Sequence, residues 1–370
     1  MNSMRITFFI PSLAGGGAER MVLNLIRGLL DYPVQIDLVV ARACGELKTQ
    51  IPQGINFVNL HQNRVSSTLF PLMHFLRTNR PNILFSAVDN ANLIAILAIL
   101  LSRAKTKCVV SVHQMGSKFR QIHYGFREKI LRNGILLLFQ FAHKIVAVSD
   151  GVAEDLIHEL KINPSCIATI GNPILSTQKF EQLKNPLKKK VKGEVQIISA
   201  GRLVKEKDFQ TLVDAFVILR KQLACHLTIY GEGPERARLE SQRDALGLTE
   251  DIDFPGFTED IFQALTPADL CVVSSLTEGF GNVIVESLAC GVPVVSTDCP
   301  SGPREILQDG KFGRLVEIQQ PERLAEAMLA SLKQKADRSL LQDRASDFTI
   351  EKIAVIYYDL FKTLMVGDEP

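Results

Sequence analysis

Thr277-Glu-Gly-Phe-Gly-Asn-Val-Ile-Val-Glu-Ser-Leu-Ala-Cys-Gly-Val-Pro-Val-Val-Ser296 reads as a turn, a helix, a second turn and a buried strand. Gly279-Phe280-Gly281 opens the apolar helical run, and Gly291-Val292-Pro293 closes it. The β-branched run that follows suits a strand covered on both faces. A helix feeding such a strand is half of a β-α-β unit, and the same grammar extends along the chain. Strands are expected at Arg5–Ile10, Gln35–Val40, Ile83–Ser86, Lys107–Val112 and Lys144–Val148 in the first half. Gln196–Ala200, His226–Tyr230, Leu270–Ser274 and Val294–Ser296 continue the series in the second. Longer helical patterns separate them, which predicts α/β architecture with doubly wound parallel sheets.

The 370 residues are too many for one ordinary core and suggest two domains. The expected division is a first domain over 1–174, a linker over 175–192, a second domain over 193–349 and a terminal helix over 350–370 that packs back across the linker. The linker rests on Lys184-Asn-Pro-Leu-Lys-Lys-Lys-Val-Lys192, which combines proline and charge with little apolar patterning. Residues 1–185 carry 20 Lys+Arg against 11 Asp+Glu, whereas 186–370 carry 22 against 29. A basic first half favours an anionic partner, but no nucleic-acid motif accompanies it. The seven scattered cysteines argue against a disulfide framework and fit a reducing, cytoplasmic setting. Leu93–Leu101, the longest apolar run, is about half of a membrane span.

Glu278 precedes the glycine turn and Glu286 lies about one helical turn behind it. The turn itself offers backbone N–H groups at a helix start, where phosphate binds well. A carboxylate on each side of a phosphate cradle suits a ligand with a diphosphate in the middle and sugars at both ends. After the first strand of the second half, Gly201-Arg202-Leu-Val-Lys-Glu-Lys207 aims Arg202 and Lys207 at such a diphosphate. Gly231 in Tyr230-Gly-Glu-Gly-Pro234 and Phe257 in Phe254-Pro-Gly-Phe257 follow later strands and are weaker candidates for a base pocket.

In the first half, Ala14-Gly-Gly-Gly-Ala-Glu-Arg20 opens a helix. It puts Gly16 and Gly17 at either a ligand phosphate or a packing turn, and the entropy of three glycines favours the ligand. Arg20 stands where a dinucleotide fingerprint needs its third glycine. His113 ends a strand and is open between a structural and a catalytic role. Asp251-Ile-Asp253 imitates a metal-binding pair, but it precedes an apolar segment, and no metal is expected. Ser117–Gln140 interleaves Lys118, Arg120, Arg127, Lys129 and Arg132 with Phe119, Ile122, Tyr124, Phe126, Ile130 and Leu131. It fits an anionic membrane surface or an ordinary half-buried helix equally well.

Taken together, Gly15–Gly17, His113, Gly201-Arg202…Lys207, Gly231-Glu-Gly233, Glu278-x7-Glu286 and Gly302-Pro-Arg-Glu305 resemble the retaining glycosyltransferases of family 4. The likeness extends to bacterial enzymes of surface polysaccharide and lipid-linked oligosaccharide synthesis. It implies the GT-B fold, two Rossmann-like domains facing across a cleft. It also implies a nucleotide-sugar donor, UDP-linked in many relatives, and a saccharide or polyprenyl-diphosphate-linked acceptor. Arg202 and Lys207 would neutralise the leaving diphosphate with the backbone of Phe280, Gly281 and Asn282. Glu278 would hold hydroxyls of the transferred sugar, Glu286 the ribose, and His113 would contact the donor sugar. Gly16 would let the first domain approach the donor phosphates. No resident cofactor is implied, and localisation would be cytoplasmic or peripheral on the inner face of the membrane. Two positions depart from the pattern: Asn172-Pro173 replaces the usual Asn-Gly, and Gly302-Pro303 the usual Gly-Gly. A soluble transferase making a small glycoside shares every donor motif, and a nucleotide-sugar-binding protein without turnover is the alternative from another class. An oxidoreductase is the weakest reading.

Overall fold

A computed structural model describes residues 3–114, 138–184 and 194–366. The chain forms two compact units, Met1–Pro173 with Ile350–Pro370, and Ile174–Thr349.

The first unit is built on seven parallel strands. They are β1 (Met4–Ile10), β2 (Val34–Val40), β3 (Asn56–Asn59), β4 (Ile83–Ala87), β5 (Lys107–Val112), β6 (Lys144–Ala147) and β7 (Ile167–Thr169). Their spatial order is β3-β2-β1-β4-β5-β6-β7, so the winding reverses between β1 and β4. Central strands are covered on both faces, which is why β1 and β4 read as predominantly apolar runs. On one face, the helix Gly17–Leu29 and the helix Ile350–Val366 share a core with Phe8, Phe85 and Val109. Tyr357 and Phe361 from the C-terminal helix are fully buried there. At the opposite end of β1 a buried carboxylate holds three strands together. Asp37 accepts from Arg5 Nε (2.8 Å), Thr7 Oγ1 (3.0 Å) and Asn56 Nδ2 (2.8 Å). Such saturation is what a charge needs when it is only 2% exposed.

The second unit repeats the plan with β8 (Val195–Ala200), β9 (Cys225–Tyr230), β10 (Ile252–Gly256), β11 (Leu270–Val273), β12 (Val294–Thr297) and β13 (Arg314–Val316). The order β10-β9-β8-β11-β12-β13 places its reversal between β8 and β11. The stretch 175–184, read from the sequence as linker, belongs to this unit instead. It forms the helix Thr177–Lys184, whose buried Phe180 and Leu183 lie three residues apart among polar neighbours. Two apolar residues in eight left no visible stripe in the sequence, and residues 185–193 lie outside the described residues. So do residues 117–137 of the basic, aromatic segment. No helix among the described residues is long and apolar enough to cross a membrane.

Phe361 fills the first unit's core although it is distant in sequence from every strand there. Phe361→Ala is expected to destabilise that unit by about 3–5 kcal/mol, the range for emptying a buried phenylalanine site. A lowered urea midpoint by circular dichroism measures it.

Candidate active site

In an open parallel sheet, ligands bind beyond the carboxyl ends of the strands, where the winding reverses. In the second unit that place lies between the loops after β8 and β11. The loop after β8 carries Arg202, exposed, and a single 3-10 turn, Lys205–Lys207. Asp208 follows at φ 43° and caps the helix Phe209–Arg220 by accepting from Thr211 N–H (3.4 Å), while Thr211 Oγ1 donates to its other oxygen (2.6 Å). The loop after β11 carries Ser274, Ser275 and Glu278. Ser274 Oγ donates to the carbonyl of Lys207 (2.9 Å), and Leu276 N–H donates to that of Glu206 (2.8 Å). One hydroxyl and one backbone N–H therefore stitch the two loops together before any charge is considered.

Between them Lys207 Nζ donates to Glu278 Oε1 at 2.5 Å. Ser275 Oγ donates to the same oxygen (2.7 Å), while Thr297 Oγ1 holds the Ser275 carbonyl (2.6 Å). Glu278 is only 9% exposed, so its charge depends on these donors. The Cys299 thiol lies against the same carboxylate, and burial first, then Glu278, pushes it up to about 12, leaving it a protonated, inert wall.

Next comes the glycine turn. Gly281 sits at φ 104° and starts the helix Asn282–Ala289, which has no side-chain cap. A helix start without such a cap is the anion-binding feature read from the sequence. The Phe280 ring turns inward and meets Phe348 edge-on at 5.4 Å, so only its backbone belongs to the turn. Behind it Gly302 approaches so closely that a Cβ there would lie 2.0 Å from the Phe280 carbonyl oxygen, and Ser301 Oγ donates to the Gly279 carbonyl (2.9 Å). Glu286 is on the same helix, one turn beyond Asn282 and partly exposed.

Gly231 has a different role from a pocket lining. At φ 140°, its Cβ would meet the Gly201 carbonyl oxygen at 1.9 Å, so it lets the end of β9 press on the loop that carries Arg202. Phe257 stands 37% exposed just after the edge strand β10. The aspartates of Asp251-Ile-Asp253 are engaged elsewhere: Asp251 accepts from Arg220 Nε (2.8 Å), and Asp253 Oδ2 pairs with His226 Nε2 (3.0 Å).

Gly16, Gly17 and His113 belong to the first unit. Gly16 is the N-cap residue of the helix Gly17–Leu29. The Glu19 carboxylate folds over it, 2.3 Å from where a Gly16 Cβ would be. Any phosphate arriving here displaces that carboxylate. His113 follows β5, partly buried, with Nε2 3.0 Å from Ser111 Oγ. Burial drops its pKa to about 4, so the ring is neutral at physiological pH.

Motif reading missed Ser275, Thr297 and the Val88-Asp89 junction. Val88, a β-branched residue, is held at φ 82° at the end of β4, beside the first unit's winding reversal. Burial pushes the Asp89 carboxyl up to about 6. The only sequence signal was a lone aspartate, Asp89, between an apolar strand and an apolar helix.

Residues 15–175 match the family described as Glycosyltransferase Family 4, and residues 180–347 match Glycosyl transferases group 1. The chain belongs to glycosyltransferase family 4. It is therefore a glycosyltransferase, and the expected pair of Rossmann-like domains is what the two sheets form. A Campylobacter jejuni protein named N-acetylgalactosamine-N,N'-diacetylbacillosaminyl-diphospho-undecaprenol 4-alpha-N-acetylgalactosaminyltransferase is 29% identical over 95% of this chain and 97% of its own length. The Rhizobium meliloti lipopolysaccharide core biosynthesis glycosyltransferase LpsE is 27% identical over 93% and 95%. Among solved structures, Anabaena HepE in complex with UDP and glucose superposes with a TM-score of 0.79 at 22% identity, covering 97% of this chain and 99% of that one.

Asp89 gives this glycosyltransferase a pH signature. Its carboxyl titrates near 3.8 unfolded and about 6 folded, so the fold binds the proton more tightly. The stability this supplies is whole below the unfolded value and is lost as pH rises through the folded one. Asp89→Asn is expected to raise the melting temperature of the first unit near pH 7.5, with the gain gone near pH 4. Equal gains at both pH values would show that the carboxyl is not desolvated.

Proposed function

We propose that the protein is a retaining glycosyltransferase that moves a hexose or N-acetylhexosamine from a UDP-linked donor to a polyprenyl-diphosphate-linked saccharide, in surface polysaccharide or glycan synthesis. The observation that carries the donor part is the Lys207–Glu278 pair across the β8/β11 reversal, flanked by Arg202 and by the turn that opens the helix Asn282–Ala289. The Campylobacter jejuni relative, named for a diphospho-undecaprenol acceptor and an N-acetylgalactosaminyl group, supports the acceptor and sugar class. HepE, solved with UDP and glucose, supports the nucleotide.

In this reading the diphosphate lies against Arg202, Lys207 and the backbone of Phe280, Gly281 and Asn282, and Glu286 holds the ribose. Glu278 already gives Oε1 to Lys207 and Ser275, which leaves Oε2 to orient a hydroxyl of the transferred sugar. The bond from the anomeric carbon to the diphosphate oxygen breaks as the bond to the acceptor oxygen forms on the same face. The acceptor's proton passes to the departing diphosphate, so neither a protein nucleophile nor a resident cofactor is used. Cations fixed before the reaction stabilise the charge that develops on the leaving group. An anionic membrane surface would bring the lipid-linked acceptor to the enzyme.

Donor hydrolysis across a panel of nucleotide-sugars tests this without any acceptor. A UDP-N-acetylhexosamine or UDP-hexose is expected to be cleaved, and binding of UDP without cleavage of any donor would favour a non-catalytic binding protein. Lys207→Ala is expected to reduce turnover by roughly two to three orders of magnitude, as for the loss of one preorganised donor to a developing anion. Unchanged kinetics in the folded variant would remove Lys207 from the site.

A further inference from the structure

Asp89 destabilises the unit that contains it. It opens the helix Asp89–Ser102 directly after β4, beside the β1/β4 winding reversal. Val88 before it is held at φ 82° and ψ 128°, a region that strains a β-branched residue, and no side chain caps the helix. Among the described residues the Asp89 carboxylate makes neither a hydrogen bond nor an ion pair. Burial alone accounts for its raised pKa of about 6, with no neighbouring charge involved. At neutral pH the group is therefore ionised, half-buried and unpaired, the state in which a carboxylate most needs a donor. Asn92, one turn further on, fastens this helix to the neighbouring strand: its Nδ2 donates to the Ser111 carbonyl (2.9 Å). The last pair that β4 makes with β5 is Ala87 with Ser111, so Asp89 and His113 each stand two residues beyond it, at the same end of the sheet. His113, neutral at physiological pH, adds a polar ring there and no charge.

Strain and an unpaired charge each cost stability, and both fall where an open parallel sheet binds its ligands. A helix start favours a negative charge, but here burial outweighs that attraction, so the helix itself does not account for the carboxyl. A metal ion does not either, because no group of three His, Cys, Asp or Glu side chains able to hold one occurs among the described residues. What remains is a ligand that donates protons, and an ionised carboxylate in apolar surroundings accepts from hydroxyls strongly. A glycosyltransferase must hold an acceptor, and a saccharide acceptor is rich in hydroxyls. We propose that Asp89 anchors a saccharide site of the first unit, its carboxylate accepting hydrogen bonds from one or two hydroxyls of the acceptor sugar. This rests on the reading above that the acceptor is a saccharide; the transferred sugar stays with Glu278. The stability lost at Asp89 is regained when the acceptor binds, a trade often made at functional sites.

Methyl α-glycosides of N-acetylgalactosamine, N-acetylglucosamine, galactose and glucose serve as probes with the full-length protein. The Asp89 carboxyl ¹³C resonance, identified by its loss in Asp89→Asn, is followed as each is added. At least one glycoside is expected to shift it and to accept sugar from the donor that the hydrolysis panel selects. Asp89→Asn keeps the side chain's shape and removes the desolvated charge, so the variant is expected to fold. It should raise KM for that glycoside roughly ten- to a hundredfold, the worth of a hydrogen bond to a charged group, with less than about a twofold change in donor KM. A resonance that none of the four glycosides shifts, or an unchanged glycoside KM in Asp89→Asn, overturns the site. So does a donor KM that rises in step, since the carboxyl would then act on the donor or on the fold. A resonance that shifts with a glycoside in a protein that cleaves no donor refutes the proposed transfer and leaves the saccharide site standing.

Discussion

An ammonium and a carboxylate meet where the second sheet reverses its winding, and much of the site follows from that meeting. Glu278 is too buried to keep its charge on solvation alone, so Lys207 and Ser275 supply what water does not. Removing one partner of such a pair leaves the other charge uncompensated, which costs more than the pair itself contributes. The constraint extends backward into the strands. Ser274 and Leu276 fasten one loop to the other, Thr297 fixes Ser275 from β12, and Cys299 closes the far side. Neighbouring strands thus specify one carboxylate's position, and one of its oxygens is already spoken for.

Glycines do the complementary work of bringing backbones closer than a side chain allows. Gly231 lets β9 press on the Arg202 loop, and Gly302 lets a later loop support the Phe280 carbonyl. Proline after Gly302, a departure from the family pattern, begins the short helix Pro303–Ile306, where a missing N–H matters least. The close approach depends on the glycine alone, so the substitution leaves the support of the turn intact.

The sequence disclosed all nine central strands and none of the four sheet edges. β3, β7, β10 and β13 are short and carry polar or half-exposed residues, because an edge is covered less completely than a centre. Pro255 within β10 is tolerated for the same reason. The site shows a similar split. Arg202, Lys207, Glu278 and the glycine turn were legible because their chemistry sits at strand ends in fixed order. Ser275 and Asp89 were not, since a serine and a lone aspartate acquire meaning only from what folds against them. The polar segment 175–184 likewise joined a unit through just two buried side chains.

The C-terminal helix also orders events in time. The second unit is complete in sequence by Thr349, so once that residue leaves the ribosome it has every strand and helix it needs. The first unit, although its strands are synthesised earlier, lacks Tyr357 and Phe361 until the helix Ile350–Val366 emerges, and the helix Gly17–Leu29 alone covers only part of that face. The unit that holds the earlier strands is therefore the later of the two to be complete in sequence.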